Sequence, residues 1–410
     1  MSPKFKAPRG TSDVLPEQAP VRHRIEQAAQ RLLEASGYGR IETPVFEETE
    51  LFLRGVGEST EIVQKQMFSF TDQGGRDLTL RPEGTAGVCR AYIEHGMQKL
   101  PQPVKLWYSG PFFRHERPQA GRYRQFQQVG AEAIGSDSPL LDAELVVLAW
   151  DLVTELGVEG VELRLGSLGS QAARAAYLDR LREYLREHEG ELAKDVRERI
   201  ELNPLRAFDS ADEGTQAVMA KAPRLLQGLD QDDSAHFEQV RALLDGAGVP
   251  YRVDDALVRG LDYYTRTVFE LHCDRLGAQS QIGGGGRYDG LIEELGGPAT
   301  PANGWALGVD RIALALGEPE PPGREGVFIV ADEGSREQAL ALATELRRSG
   351  IGADLDLAGR SAKGQMKQAD RSGALRAVIL DGERATLRDL ESGEQRELDR
   401  DRLIEEIAAG

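Results

Sequence analysis

The stretch YSGPFFRHERPQAGRYRQFQQVGAEAIG, residues 108–135, has the pattern of a β-hairpin with a long, charged connection. The first strand is predicted to end near Phe113 and Arg114, and the second to begin near Arg124. Side chains of a strand alternate between the two faces of a sheet. One face of the returning strand therefore carries Phe126, Gln128, Gly130 and Glu132, and the other carries Gln127, Val129, Ala131 and Ala133.

The first of these faces is unusual for a protein core. An aromatic ring, an amide, a bare glycine and a carboxylate pack poorly together but suit a ligand that lies against the sheet. The alternative is the solvated face of an antiparallel sheet. The connection favours the ligand, because it gathers four guanidinium groups, the side chains best suited to phosphate, at Arg114, Arg117, Arg122 and Arg124.

The segment FRHERPQAGRYRQF, residues 113–126, resembles the second signature motif of class II aminoacyl-tRNA synthetases, in the form carried by histidyl-tRNA synthetases. The resemblance implies an α+β fold whose antiparallel sheet is flanked by helices. It also implies a helical insertion and a C-terminal α/β anticodon-binding domain.

Composition is that of an ordinary globular protein, with 410 residues, 40% hydrophobic and 29% charged. No apolar run approaches the ~18 residues of a membrane span, and the first residues lack the apolar core of a secretory signal. The two cysteines, Cys89 and Cys273, have no metal-ligand spacing, so we expect a reducing cytoplasm and no metal site held by the protein. The net charge of -18 requires any nucleic-acid contact to use local basic patches.

Two stretches before the hairpin add to the resemblance. A helix predicted over residues 21–36, followed by an extended segment interrupted by Pro44, resembles the first class II motif and implies a homodimer. The string LRPEGT, residues 80–85, leads into a helix from about Ala86. Glu83 and Thr85 either cap this helix or bind a substrate ammonium group, and the resemblance favours the second role.

Two strings after the hairpin resemble the signatures specific to histidine: VRGLDYY, residues 258–264, and IGGGGRYDGL, residues 282–291. Consecutive glycines let a ligand approach the main chain, and the run lacks the Lys-Ser/Thr pair of a P-loop. The chain departs from the family at Gln127, where histidine is usual. It also departs at Ile282-Gly283-Gly284, where Cys-Ala commonly precedes the Gly-Gly-Arg-Tyr-Asp string.

Arg311 is predicted to lie in the first turn of a helix that starts near Asp310, after a strand from Trp305. The helix dipole disfavours a cation there unless the cation has an anionic partner, which indicates a phosphate. The segment resembles the third class II motif.

We predict a catalytic domain over residues 1–325 and an anticodon-binding α/β domain over 326–410, joined at the Pro- and Gly-rich stretch 317–326. Residues 171–229 read as charged helices, either the helical insertion or a solvated layer. In the second domain, a helix from Ser361 is predicted to carry a basic stripe that is either solvated or bound to a polyanion: Arg360, Lys363, Lys367 and Arg371.

The resemblance implies activation of L-histidine with ATP and Mg²⁺ to histidyl-adenylate, followed by transfer to the 3′ end of tRNA(His). Fixed cations meet the charge that builds up at the α-phosphate. By resemblance, Arg259 and Arg114 are catalytic and hold the α-phosphate, Arg311 binds the γ-phosphate, and Phe126 stacks on adenine.

The same resemblance implies a histidine pocket. Glu83, Thr85 and Gln128 bind the amino group, Glu132 and Tyr264 pair with the imidazole nitrogens, and Arg259, Tyr263 and Tyr288 complete the pocket. Arg117 and Gln119 are the candidates for the acceptor end of the tRNA.

Two alternatives share the catalytic fold. A regulatory subunit of ATP phosphoribosyltransferase typically lacks the C-terminal domain and parts of the signatures, whereas this chain has residues 326–410 together with Glu83, Arg114, Arg259 and Arg311. A relative of biotin ligase would not carry VRGLDYY and GGRYDGL.

Overall fold

The computed structural model describes residues 5–57, 60–257, 261–277, 279–317, 323–381 and 384–408. The chain divides into two compact units, residues 1–319 and 320–410. Each unit has its own sheet and its own hydrophobic core.

The strands of the first unit are β1 (Gly39–Arg40), β2 (Phe46–Glu48), β3 (Phe68–Thr71), β4 (Asp77–Leu80), β5 (Val104–Phe113), β6 (Gln125–Ile134), β7 (Val161–Ser167), β8 (Arg252–Val253), β9 (Thr265–Cys273), β10 (Gln281–Arg287) and β11 (Ala302–Gly308). Its α-helices are α1 (Ala19–Ala35), α2 (Thr49–Val56), α3 (Thr85–Glu94), α4 (Pro139–Glu155), α5 (Gln171–Glu187), α6 (Lys194–Arg197), α7 (Glu213–Met219), α8 (Gln231–Ala247), α9 (Leu291–Glu294) and α10 (Val309–Leu316).

The large sheet of this unit has the order β1-β5-β6-β11-β10-β9-β7-β8. Its central strands pair antiparallel, while β1 and β8 pair parallel at its ends. The predicted hairpin is confirmed, since β5 and β6 pair from Val104 opposite Ile134 to Phe113 opposite Gln125. Helices flank this sheet, as the sequence predicts.

The glycine run forms a central strand of the large sheet. Strand β10 lies between β9 and β11, and its glycines are in close contact with these neighbours. A Cβ at Gly283 would overlap the carbonyl of Ala306, and one at Gly285 would overlap that of Gly304. Glycine is required here because the adjacent backbones leave no room for a side chain.

The two faces of β6 differ as the alternation predicts. Val129, Ala131 and Ala133 belong to a core with α1, α4 and α8. On the other face, Phe126 packs against the core that contains Tyr108 and Phe112. The sheet therefore has one face covered by helices and one face on which a site can form.

Helices α5, α6 and α7 lie within the predicted insertion. Apolar side chains of α5, namely Tyr177, Leu181 and Leu185, are buried, while many of its charged side chains are exposed. The insertion therefore packs through one stripe and presents a charged outer surface.

The second unit is an α/β domain. Its strands β12 (Val327–Val330), β13 (Ala353–Leu355), β14 (Arg376–Asp381), β15 (Arg384–Asp389) and β16 (Gln395–Asp399) form a sheet of order β13-β12-β14-β15-β16. The strands of the pairs β12–β13 and β12–β14 are parallel, and the other pairs are antiparallel. Its helices are α11 (Arg336–Arg348), α12 (Ala362–Arg371) and α13 (Arg400–Ala408). The sequence had not indicated β16 or α13.

Among the residues that the structure describes, no helix is both long enough and apolar enough to cross a membrane.

Candidate active site

A cavity opens on the face of the large sheet that carries Phe126 and Gln128. Its wall comes from the hairpin, from the turn before α3, from the segment before β9 and from strand β10. The predicted site residues that line it are Glu83, Thr85, Arg114, Phe126, Gln128, Tyr263, Tyr264 and Arg311. The fold thus brings together side chains that are up to about 230 positions apart in sequence, from Glu83 to Arg311.

At one end of the cavity, an aromatic ring and guanidinium groups lie side by side. Arg114 lies over the ring of Phe126, with its guanidinium carbon 5.3 Å from the ring centroid. The Nε of Arg114 donates to the carbonyl of Pro82 at 2.8 Å, which ties the end of the hairpin to the LRPEGT segment. This end can therefore take a flat ring together with an anionic group.

Arg311 lies in the first turn of α10, as the sequence predicts. Its Nη1 donates to the carbonyl of Gly121 at 2.9 Å, and its Nη2 donates to that of Gln279. The buried Nε has no hydrogen-bond partner among the described residues. Burial, together with the nearby charge of Arg122, lowers the pKa of Arg311, and the charge of Glu116 opposes that change. An anion in the cavity would accept a hydrogen bond from this Nε and would raise the pKa of Arg311 again.

Glu83 caps helix α3 from the cavity wall. Its carboxylate accepts hydrogen bonds from the backbone N–H groups of Thr85 at 2.7 Å and Ala86 at 2.9 Å. Burial raises the pKa of Glu83, while these donors and the charge of Arg114 oppose the change. The capping role is therefore present in the structure, and the carboxylate also lies at the cavity surface.

Gln128 lies beside this cap on β6 and lines the same cavity. Its Oε1 is buried and has no hydrogen-bond partner in the described part of the chain. A buried polar atom without a partner is costly, so a ligand donor at this point would be favourable.

Glu132 is fully buried below this wall. Its carboxyl group accepts hydrogen bonds from the hydroxyls of Thr85 at 2.7 Å, Tyr288 at 2.6 Å and Tyr108 at 3.2 Å. Burial raises the pKa of Glu132 to about 8, and the hydrogen bonds from these hydroxyls oppose the change. The group is therefore mostly protonated at neutral pH when no ligand is bound.

The structure differs from the expectation for Glu132 and Tyr288, which were expected at the pocket surface. Both are buried behind it, where Glu132 accepts from the hydroxyls of Thr85, Tyr108 and Tyr288. Strand alternation assigns the face of a side chain but not its depth, which here depends on hydroxyls from other elements. Tyr263 and Tyr264 do line the cavity, and their ring centroids are 4.7 Å apart.

Tight packing fixes the position of this buried carboxyl group. A Cβ at Gly304, opposite Glu132 on β11, would overlap the Glu132 carboxyl. A Cβ at Gly130 or Gly84 would overlap the ring of Tyr108. These glycines let the Tyr108 ring and the Glu132 carboxyl lie against neighbouring backbone.

A second buried polar cluster, which the sequence did not reveal, lies on the opposite face of the sheet. Asp142 of α4 pairs with Arg287 of β10 and also accepts from Asn303 Nδ2 at 2.9 Å. The ring Nε2 of His236 is 2.8 Å from its Oδ2. Burial alone would raise the pKa of Asp142, but His236 and the charge of Arg287 outweigh it, so the pKa is lowered.

Arg287 orients the GGRYDGL string from this opposite face. Its Nη1 donates to Asp289 Oδ1 and to the carbonyl of Ser136, each at 3.0 Å. The neighbouring Tyr288 reaches Glu132 on the pocket side. The only hint of this cluster in the sequence is the arginine of the GGRYDGL string, because its partners Asp142 and Ser136 are remote in sequence.

Several predicted residues lie elsewhere. Arg259 is outside the described residues, and its role stays a prediction. Arg117 and Gln119 are exposed on the hairpin connection. Gln127, at one departure from the family, borders the cavity, and its Nε2 donates to Glu26 at 3.0 Å.

The basic stripe of the second unit is shorter than predicted. Lys363, Lys367 and Arg371 are exposed on α12, opposite the buried Gln365 and Ala369. Arg360 lies outside this helix, because Ser361 is its N-cap. The guanidinium of Arg360 is also paired with Asp356 at 2.6 Å.

In the described ranges, no group of three or more His, Cys, Asp or Glu side chains is arranged to hold a metal ion.

The structure has a largely antiparallel sheet, and the cavity on it is lined by Phe126, Arg114 and Arg311 from the segments that resemble the second and third class II motifs. This combination is that of a class II aminoacyl-tRNA synthetase. Residues 10–312 match the family model described as histidyl-tRNA synthetase, and residues 325–409 match an anticodon binding domain. The chain belongs to the histidyl-tRNA synthetase family.

Individual proteins agree with this assignment. The chain is 48% identical over 407 residues to a histidine–tRNA ligase of Rubrobacter xylanophilus, which covers 96% of each protein. It superposes on apo histidyl-tRNA synthetase of S. aureus with a TM-score of 0.82 and 38% identity, covering 98% of this chain and 99% of the other. A Bacillus halodurans protein described as an ATP phosphoribosyltransferase regulatory subunit/histidyl-tRNA synthetase gives a TM-score of 0.70 and 25% identity, covering 93% of this chain and 100% of the other.

Proposed function

We propose that the protein activates L-histidine with ATP to histidyl-adenylate and transfers it to the 3′ end of tRNA(His). The observation that carries this proposal is that one cavity has two chemically different ends. Phe126, Arg114 and Arg311 line one end, and Glu83, Gln128, Tyr263 and Tyr264 line the other. A nucleotide and an amino acid can therefore lie in contact within it. Holding the two reactants in line accounts for much of such an acceleration.

At the nucleotide end, the adenine would stack on Phe126, with Arg114 beside the α-phosphate and Arg311 at the γ-phosphate. The fixed position of Arg311 supports this assignment, because main-chain carbonyls hold its two Nη groups. Attack by the histidine carboxylate concentrates negative charge at the α-phosphate. Pre-positioned guanidinium groups stabilise that charge without reorganisation. Arg259 would share this role.

At the amino-acid end, the ammonium group of histidine would bind Glu83, Thr85 and Gln128. The unsatisfied Oε1 of Gln128 supports this, since an ammonium group is a donor. The imidazole would lie between Tyr264 and Glu132. Because the Thr85 hydroxyl covers Glu132, histidine would reach this carboxyl when that hydroxyl turns toward the ligand. A site that bonds both ring nitrogens rejects amino acids that lack them.

Mg²⁺ would enter with ATP and neutralise charge on its phosphates. Among the carboxylates that line the cavity, Glu83 caps α3 and Asp310 accepts from the backbone N–H of Gln127 at 2.9 Å. Glu116 pairs with Arg122 at 3.2 Å. The phosphates themselves would therefore supply most of the ligands of the ion, and Glu116 could add one.

For the tRNA, Arg117 and Gln119 would contact the acceptor end, and Lys363, Lys367 and Arg371 the anticodon region. Arg360 would contribute only by releasing Asp356. A homodimer would bury the exposed Phe46 and Phe70, whose rings are 6.3 Å apart and which lie on the two outer strands of the small sheet β2-β4-β3. The two buried free cysteines suit a cytoplasmic enzyme.

The test is ATP–pyrophosphate exchange with the purified protein and each standard amino acid in turn. We expect exchange with histidine alone, followed by charging of tRNA(His). Arg259→Ala should leave the fold intact and reduce adenylate formation by about two orders of magnitude or more. Normal turnover by that variant would contradict its role.

The regulatory-subunit alternative makes the opposite prediction. A folded protein that binds histidine but shows no exchange would favour that alternative. The anticodon binding domain at residues 325–409 and the lining arginines favour the synthetase.

A further inference from the structure

The segment Leu261–Tyr264 contributes Leu261, Tyr263 and Tyr264 to the cavity wall. It is neither helix nor strand, so sheet or helix bonds do not fix its main chain. Its carbonyl groups must therefore find partners on other parts of the molecule.

Those partners come from the helical insertion. Arg174, on α5, donates through Nη1 to the carbonyl of Asp262 and to that of Tyr264 at 3.0 Å. One guanidinium group thus holds the main chain on both sides of Tyr263. Its Nη2 is also 4.0 Å from the Asp262 carboxylate.

Arg174 is unlike the exposed arginines of the same insertion. Its side chain is only 13% exposed, and burial lowers its pKa while the charge of Asp262 opposes the change. Removing a guanidinium group from water is costly unless its bonds compensate. The bonds that compensate here are made to the wall of the histidine pocket, which indicates a positional role.

A second cavity lies directly behind that wall. Arg174, Leu178 and Arg182 of α5 line it, and Tyr263 lines both this cavity and the active-site cavity. Tyr263 therefore has open space behind it on the insertion side. Without Arg174 that space would grow, and the tyrosine could move away from the substrate.

The chain just beyond the segment, at the start of β9, is also fixed. Arg266 has φ +45°, a left-handed conformation that side chains other than Gly, Asn and Asp rarely adopt. Its N–H donates to the carbonyl of Gly169 at 2.6 Å, and its Nε donates to Asp233 Oδ1 at 3.0 Å. The strained residue is therefore held from the elements that flank the insertion.

We infer that Arg174 is a positioning residue for the adenylation reaction: through it, the helical insertion holds Tyr263 and Tyr264 where histidine binds. This inference rests on the proposed function, because it assigns a role within the same site. Arg174 does not itself contact the substrate; it acts through the main chain of residues 262–264.

The experiment compares Arg174→Ala with Arg182→Ala by ATP–pyrophosphate exchange. Arg182 is the matched control, since it lies on the same helix and cavity but bonds to Asp179 of its own helix at 2.7 Å. We expect Arg174→Ala to raise the KM for histidine about tenfold or more, with the KM for ATP unchanged. Arg174→Lys, which keeps the charge and can donate to one carbonyl, should recover part of the loss. Arg182→Ala should behave as wild type.

A purely structural role would give a different result. Fewer active sites and a lower melting temperature, with an unchanged KM for histidine, would overturn the inference. If Arg174→Ala does not fold, Arg174→Lys against wild type decides the matter on the same KM comparison. If the wild type shows no exchange, the proposed function fails, and calorimetric titration of histidine into the same variants still tests Arg174: weaker binding in Arg174→Ala alone supports the inference, and equal binding overturns it.

Discussion

Two buried carboxyl groups lie on opposite faces of the same sheet and have opposite electrostatic surroundings. Asp142 is paired with Arg287 and His236, which lower its pKa. Glu132 is surrounded by the hydroxyls of Thr85, Tyr108 and Tyr288, and burial raises its pKa to about 8. The first carboxylate already has a charged partner, Arg287, within the fold. The second has uncharged hydroxyls around it, and its burial favours the neutral form.

The largest expected effect is on the Asp142 side. Asp142→Ala removes one of the two carboxylates that pair with the buried Arg287, which costs about 3–5 kcal/mol of unfolding free energy. Urea unfolding followed by circular dichroism measures it. Asp151→Ala, on the exposed side of the same helix, is the control and should change stability by about 0.5 kcal/mol or less. Equal losses in the two variants would show that the Arg287 pair is not what matters.

The second prediction is that a substitution of Glu132 affects histidine binding strongly and stability little. Glu132→Gln keeps the size of a neutral carboxyl group, so its unfolding free energy at pH 7 should change by about 1 kcal/mol or less. The amide cannot become an anion beside imidazole, so the KM for histidine should rise about 10- to 100-fold. Exchange kinetics with histidine and with ATP varied separately measure this. A stability loss as large as that of Asp142→Ala would remove the distinction between the two groups.

The sequence predicts the cavity face of the sheet, with Glu132, better than the helix-covered face, with Asp142. Strand alternation placed Glu132 on the ligand face, and the β5–β6 hairpin ends within one residue of the prediction. Alternation could not give the depth of Glu132, because Thr85 and Tyr288 cover it from other elements. The Asp142 cluster was missed because His236 is 94 positions away in sequence. Nothing local in either segment indicates that contact.

The glycine run and Arg360 show two further limits. Glycine has low strand propensity, so the sequence did not indicate a strand at Gly283–Gly286, which pairs with β9 and β11 in the structure. Helical spacing placed Arg360 in a stripe, but the N-cap at Ser361 starts the helix after it. By contrast, the predicted helix start at Arg311 is confirmed, and Arg311 lines the cavity, while its phosphate partner stays a prediction. Such arguments succeed where the cause is local.

The third prediction uses pH to separate the two groups. The pKa of Glu132 rises from 4.5 to about 8 on folding, so its contribution to stability is full below pH 4.5 and is lost as pH rises toward 8. The slope is at most about 1.4 kcal/mol per pH unit. The pKa of Asp142 falls on folding, so its contribution is full above pH 3.8 and is lost below that value as pH drops through the lowered pKa.

Unfolding free energies from pH 3 to 9, without ligand, check both signs. Glu132→Gln should flatten the decline between pH 4.5 and 8 and leave the acid limb unchanged. Asp142→Asn should do the reverse. If Glu132→Gln leaves the decline toward pH 8 intact, the carboxyl group is already ionised in the free protein, and the contrast with Asp142 fails.

The smallest expected effect concerns the hydroxyls that hold Glu132. Tyr288→Phe removes the donor at 2.6 Å and should cost about 1 kcal/mol of unfolding free energy, with a few-fold rise in the KM for histidine. Because this donor lowers the pKa of Glu132, its loss should raise that pKa further and extend the decline in stability to higher pH. Tyr92→Phe is the control, since Tyr92 is equally buried in the same core and bonds Gln102 at 3.3 Å away from the cavity. It should lose similar stability without moving the KM or the pH range. A shift of the pH range in both variants would mean that burial alone, and not the hydroxyls, sets the proton affinity of Glu132.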